Sequence, residues 1–461
     1  MTAEATPVRA ATARGSQIAI PAISESLSVP APSALLLLML FISALPDAMV
    51  APALDGLIVR RYGVDLAAAH WFMAVNLIGA AAAMPLIAML RSRSSPAILL
   101  ACGAALNAVL LTTMALPIGF VATLFVRVAE GAADVVVLAV LFDLIGKSGG
   151  GKTHGRRFGL AGTVMMMGIA SGLALGGQAG ALEPTAALWL GALGCASIAV
   201  AGLIKRRRID SFVQHCPVVE FALPQDFIAR SQAGSLAEGS TIATEEVAGI
   251  VAANRAALRS SLVMAFSDRA LAGIMATTVP LHLTAAGHGS GRAGGVLAAA
   301  MLVMALGAAP AGLIADRFGL RGVRAAAALL FASLMAGIPL CVRLSPVMMV
   351  MLMLGIGVAG AALLPTSAAL AMRGGRGSVG MAGYHAAGSL GFFLGIAGAA
   401  TLLHLLQPRV SEQISTGAII LIFAAAHGLC TLFLHLRSTI LATSGSVAGQ
   451  SPESAYPPSV H

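Results

Sequence analysis

Polar and apolar positions divide this chain into long uncharged runs separated by short polar stretches. Runs near the ~20 residues that cross ~30 Å of hydrocarbon fall at 33–55, 67–90, 96–116, 119–145, 158–181, 185–204, 261–284, 294–314, 323–342, 346–371, 379–405 and 415–436. Twelve helices follow, six on each side of a polar segment at 205–260. The pattern predicts an all-α polytopic membrane protein. Its two six-helix bundles, 33–204 and 261–437, are flanked by polar tails at 1–32 and 438–461. The first tail has no short apolar core before a cleavage-like site and reads as disordered rather than as a signal peptide. The central segment opens with Lys205-Arg206-Arg207-Arg208, a stop to the sixth helix, and is expected to carry a surface helix from about 240 to 258.

Composition agrees with this division. Of all residues 58% are hydrophobic and 10% charged, against ~25% charged in soluble domains. A net charge of +9 would suggest nucleic acid in a soluble protein. Here lysine and arginine gather on one side of the helices, at Arg91, Arg93, Arg317, Arg321, Arg324, Arg373 and Arg376 besides the central segment. Such a bias puts both termini in the cytoplasm of a multi-pass protein of the cell's inner membrane, in contact with lipid and not with nucleic acid. Five cysteines have no metal spacing, so neither a metal nor a cofactor is expected. Gly149-Gly150-Gly151-Lys152-Thr153 lacks the spacing of a nucleotide-binding loop, and no catalytic triad shares a depth. The chain is expected to be no enzyme and to draw its energy from an ion gradient.

The fifth run carries Gly159, Gly168, Gly172, Gly176 and Gly177. So many glycines weaken a soluble helix by ~1 kcal/mol each, whereas membrane helices use them for close approach. Their spacing resembles the fifth-helix antiporter motif of major facilitator superfamily exporters, with Leu173 where that family has proline. Gly312-Leu313-Ile314-Ala315-Asp316-Arg317-Phe318-Gly319-Leu320-Arg321 resembles the family's signature between helices 8 and 9. The resemblance makes Gly312, Asp316, Arg317, Gly319 and Arg321 an inner gating loop. The equivalent first-half stretch begins at Ala88, 224 residues earlier, and has Ser92 in place of the aspartate. That offset expresses a pseudo-two-fold repeat.

Charges inside apolar runs face protein or a wet cavity. In the fourth run Arg127, Glu130, Gly131 and Asp134 fall on one helical face. Arg127-Val128-Ala129-Glu130-Gly131 resembles the family's fourth-helix antiporter motif, with glutamate in place of glutamine. The resemblance assigns proton coupling to Arg127; a fixed Arg–Glu pair is the plain alternative. Asp47, in Leu45-Pro46-Asp47, loosely resembles the acidic residue of the first helix in drug exporters. Alternatively, it lies with Asp55 in a turn that the two nearby prolines would favour. Asp47 and Arg127 each stand about eight residues from the outer boundary, ~12 Å deep. Arg127 is therefore expected to pair in turn with Asp47 and Glu130, the unpaired carboxylate taking the transported proton, with Asp134 in the same group. Asp268, Arg269, Tyr384 and His385 are candidate cavity residues of the second half, although His385 also fits an interhelical hydrogen bond.

The resemblance implies a monomeric, proton-driven exporter of small molecules of the drug or metabolite class, working by alternating access. A proton-coupled importer and a transport-inactive membrane sensor are the alternatives.

Overall fold

The computed structural model describes residues 34–91, 93–147, 154–214, 241–342, 345–374 and 378–448. In chain order these form α1 (Ala34–Arg60), α2 (Leu66–Arg91), α3 (Pro96–Ala115), α4 (Phe120–Lys147), α5 (His154–Leu182) and α6 (Ala186–Ile204). A short α7 (Arg206–Gln214) follows, then α8 (Thr241–Ala285), α9 (Ser290–Phe318), α10 (Leu320–Cys341), α11 (Pro346–Gly374), α12 (Ser378–Leu406) and α13 (Glu412–Ala448). Among the described residues 11 helices are long and apolar enough to cross a membrane. A twelfth, α4, has the length but carries Arg127, Glu130, Asp134 and Asp143.

Three boundaries differ from the sequence expectation. Pro46 and Pro52 do not end α1, which passes through a π-helical turn at Asp55–Arg60 rather than stopping at 55. Pro46 sits in the first turn of the Leu45–Leu54 segment, where a missing N–H costs little. The stretch near 240–258 is helical as expected, but it is continuous with the next span, because α8 runs unbroken for 45 residues from Thr241. Likewise α13 continues past 437 to Ala448. A helix does not have to stop where its apolar face does.

Within the first bundle α1 packs on α5, α2 on α4 and α3 on α6; in the second, α8 packs on α12, α9 on α11 and α10 on α13. The pairings correspond one to one, as a structural repeat requires. Large apolar side chains such as Phe125, Leu193, Leu306 and Val358 stay exposed and form the lipid-facing surface.

Loop chemistry fixes the helix ends. Asp65 accepts from the Ala68 amide (2.8 Å) at the start of α2, and the Arg61 guanidinium covers the last carbonyls of α3, at Met114 (3.0 Å), Ala115 (2.8 Å) and Leu116 (2.7 Å). Gly319 separates α9 from α10 at φ 93°, a conformation that residues with a Cβ avoid. Asp210 of α7 accepts from the Ala97 amide (3.2 Å), which ties the start of the linker to the first bundle.

The two bundles meet through α5 with α9 and α2 with α12. On the side away from the chain termini, the Ser290 hydroxyl donates to the Gly177 carbonyl (3.1 Å), and Gly177 and Gly294 come too close to admit a Cβ on either. His70 of α2 and the Thr278 hydroxyl of α8 bridge the same seam at 2.9 Å, with His70 fully buried. At the opposite ends of α5 and α9, Gly159, Gly162 and Gly312 have no neighbour that a Cβ would meet. The bundles are thus joined on the distal side and apart on the terminal side.

Candidate functional site

The fourth-helix charges converge with α1 and α2 at one buried point. Gly131 makes this possible: it lets α4 lie directly on the Asn76 backbone carbonyl of α2, where any Cβ would clash. Gly79 of α2 does the same against the Val128 carbonyl. Between these contacts Arg127, 1% exposed, donates through Nη1 to Glu130 Oε2 (2.7 Å) and through Nη2 to Asp47 Oδ1 (2.8 Å). The Phe72 ring centroid lies 5.0 Å from its guanidinium carbon, a cation–π contact. Asn76 Nδ2 donates to the same Glu130 oxygen (2.7 Å).

The two carboxylates differ in access. Glu130 is sealed, with Oε1 lacking any partner, whereas the Asp47 side chain is 40% exposed. Asp134 lies one turn along α4 and receives only a long contact from Asn107 Nδ2 (3.5 Å). Three acids therefore surround one base. With all of them ionised the site would carry excess negative charge in a poorly solvated place, so it suits exchange of a proton or a cation.

A second polar cluster, absent from the sequence reading as a unit, lies inside the second bundle. Arg324 was expected among the cytoplasmic loop charges. Instead it stands one turn into α10, 1% exposed, with Nη2 donating to Asp268 Oδ1 (2.9 Å) and Oδ2 (3.1 Å) and Nε to the Ser367 hydroxyl (2.8 Å). Ser367 in turn donates to Asp268 (3.2 Å), and His427 Nε2 is 3.8 Å from it. Asp268 is therefore not a cavity residue, since it faces α10, α11 and α13. Tyr384 is also buried, beside Ala265 and Ala371, while His385 is exposed. Arg269 is half-buried. Replacing Arg324 by Met is expected to cost about 3–5 kcal/mol by leaving Asp268 unpaired, read as a lower melting temperature in detergent. The double variant with Asp268→Asn should recover much of that loss. A wild-type melting temperature in Arg324→Met would contradict it.

The fifth-helix glycines divide by face. Gly168, Gly172 and Gly176 press on the carbonyls of Phe41, Leu45 and Met49 in α1, and Gly177 turns toward Gly294 of α9. Gly159, eighteen residues before Gly177, lies on the same side of α5 as Gly177 but at the terminal end, where a Cβ would meet no neighbour. The expected inner loop is reduced to Gly319: Asp316 and Arg317 lie in the last turn of α9, all three are exposed, and Asp316 has no ion-pair partner among the described residues. Arg321, in the first turn of α10, is exposed as well; Ser92, the first-half counterpart of Asp316, lies outside the described residues. Those residues hold no group of three or more His, Cys, Asp or Glu able to bind a metal.

The sequence model of the Major Facilitator Superfamily matches residues 36–220. No curated protein sequence matches the chain. Solved structures resemble it over most of its length. A POT family transporter in complex with a thioalcohol-conjugated peptide is 13% identical and superposes with TM-score 0.66, over 89% of this chain and 98% of that one. A bacterial homolog of the human lysosomal transporter Spinster, inward-facing and unoccupied, gives 14% and 0.64 over 88% and 98%. A D-xylose-proton symporter gives 15% and 0.62 over 87% and 95%. Identities this low speak for the fold.

Proposed function

We propose that this chain, whose residues 36–220 match the Major Facilitator Superfamily model, is a secondary transporter of that superfamily that exports small molecules against protons. The observation that carries this reading is Arg127 held between a sealed glutamate and a part-exposed aspartate. Asp47 is the carboxylate that water and substrate reach; Glu130 is its competitor for the same guanidinium. When Asp47 takes a proton, Arg127 falls back on Glu130 alone. Release of that proton returns Arg127 to two acids, and substrate in the cavity competes for the positions so vacated.

The glycine spacing of α5 and the Arg127–Gly131 stretch favour export over import by their resemblance to antiporters. By the positive-inside rule the terminal side is cytoplasmic, so the conformation described, joined distally and apart at the terminal side, is open inward. That is a loading state for an exporter. Substrate candidates come from comparing compounds retained by cells with and without this chain. Direction then follows from accumulation in inverted against right-side-out vesicles under an imposed pH gradient. Export requires accumulation in inverted vesicles acidified inside; uphill accumulation only with the proton moving the same way as substrate would make the chain an importer.

A further inference from the structure

Three sides of α8 are occupied inside the second bundle. Phe266, Ala270 and Gly273 lie against α12, whose Gly391, Gly395 and Phe392 approach their backbone. Ser267 bonds His427 of α13 (3.0 Å), and Asp268 is held by Arg324 of α10 and Ser367 of α11. Ala265 packs with Ala371 of α11 and Tyr384 of α12. At about 100° per residue, Arg269 stands about 200° from Ser267. It therefore points away from α13, into the gap between α11 and α12. Helices α10 and α13 cover other sides of α8 and leave that gap free.

Arg269 is equipped for a ligand there. Its Cγ lies 3.1 Å from the place a Cβ on Gly388 would occupy, so the bare backbone of α12 provides the path for its stem. Tyr384 and His385 are its α12 neighbours, their rings edge to face with centroids 5.5 Å apart. No carboxylate pairs with it among the described residues, in contrast to Arg127 and Arg324. Arginine does not shed its proton, and a cation at membrane depth requires a counter-charge or water. Asp47, on α1 of the first bundle, is a part-exposed charge of the opposite sign.

We propose that Arg269 is the binding point for an acidic group, carboxylate or phosphate, on the transported molecule. The planar guanidinium fork matches the two oxygens of such a group, and His385 stands exposed beside it as a second polar contact. The proposal rests on the transport reading for its cavity, yet its test does not depend on coupling. Melting temperatures of the purified full chain in detergent, without any gradient, are measured with benzoate, phenyl phosphate and benzamide, which share a ring and differ in the acid. One or both acids should raise the melting temperature of the wild type and benzamide should not. The more effective acid identifies the carboxylate or the phosphate as the recognised group. Arg269→Gln should weaken the acid response by about tenfold or more, and Arg269→Lys should keep part of it. If Arg269→Gln does not fold, the Lys variant decides through a weaker response to the acids. Equal responses to acid and amide in the wild type, no response to either acid, or an unchanged acid response in the variants would overturn the proposal. A chain that binds acids but moves no protons would refute the coupling reading alone.

Discussion

Asp47→Asn should abolish proton-driven transport while downhill exchange of substrate across the membrane survives. Asparagine still accepts from Arg127 at the 2.8 Å position, so the cavity wall keeps its shape. What is lost is the one carboxylate of the Arg127 pairing that reaches the cavity. A hydrogen bond to a charged group is worth ~1.5–3 kcal/mol, and losing the charge while the bond stays at this part-exposed position corresponds to a drop of about tenfold in accumulation under a pH gradient. Glu130→Gln behaves differently, because Glu130 is sealed beneath Arg127 and Asn76. Neutralising it leaves Arg127 to Asp47 alone, so some transport should remain with a displaced pH dependence. Proteoliposomes with an imposed gradient, and separately with only a substrate gradient, measure both effects. Unchanged pH dependence in both variants would refute the coupling site and leave the fold untouched.

Gly294→Leu should hold the distal seam open. A Cβ there would clash with the Leu173 carbonyl and stand 2.9 Å from Gly177 Cα, both backbone atoms that cannot swing away. Helices α5 and α9 would have to part at the end where they now touch. The His70–Thr278 bridge would part with them. Transport should fall to background while the protein still reaches the membrane, since Gly294 makes its close contact between bundles rather than within one. Cysteines introduced along the distal ends of α5 and α9 should become more reactive toward a membrane-impermeant thiol reagent. Normal transport, or unaltered reactivity, would show that this seam does not gate.

The span pattern was legible because bilayer thickness sets the length of an apolar run, and the charges of α4 stood out because an apolar run makes any ion conspicuous. That Asp47 and Arg127 share a depth followed from counting residues to the nearest loop; the hydrogen bond between them needs the fold. Arg324 was misplaced for a local reason. Hydropathy put the start of its helix near 323, but Gly319 at φ 93° lets α10 begin at Leu320, one turn earlier. Ser367 and His427 carry no signal of their own, because each is an ordinary residue until α8 brings Asp268 to it. Gly159 was grouped with the other glycines by motif, although helical geometry alone places it on the side of Gly177 and away from the face of Gly168. The run of α8 back to Thr241 was hidden by Glu245, Glu246, Arg255 and Arg259, which mark where the helix leaves hydrocarbon and not where it ends.

Between α5 and α9, Gly177, Gly291, Gly294 and Ser290 bring few rotatable side chains to the distal seam, Gln178 being the long one. Closing such a surface freezes few rotamers, and ordering one long side chain costs ~1–2 kcal/mol. Few frozen rotamers leave the two positions closer in free energy. A two-state machine whose resting populations differ by only a few kcal/mol can be tipped by one proton or one bound molecule. By this reasoning bulk added to the seam would first slow the cycle by biasing it, long before it unfolded the bundle.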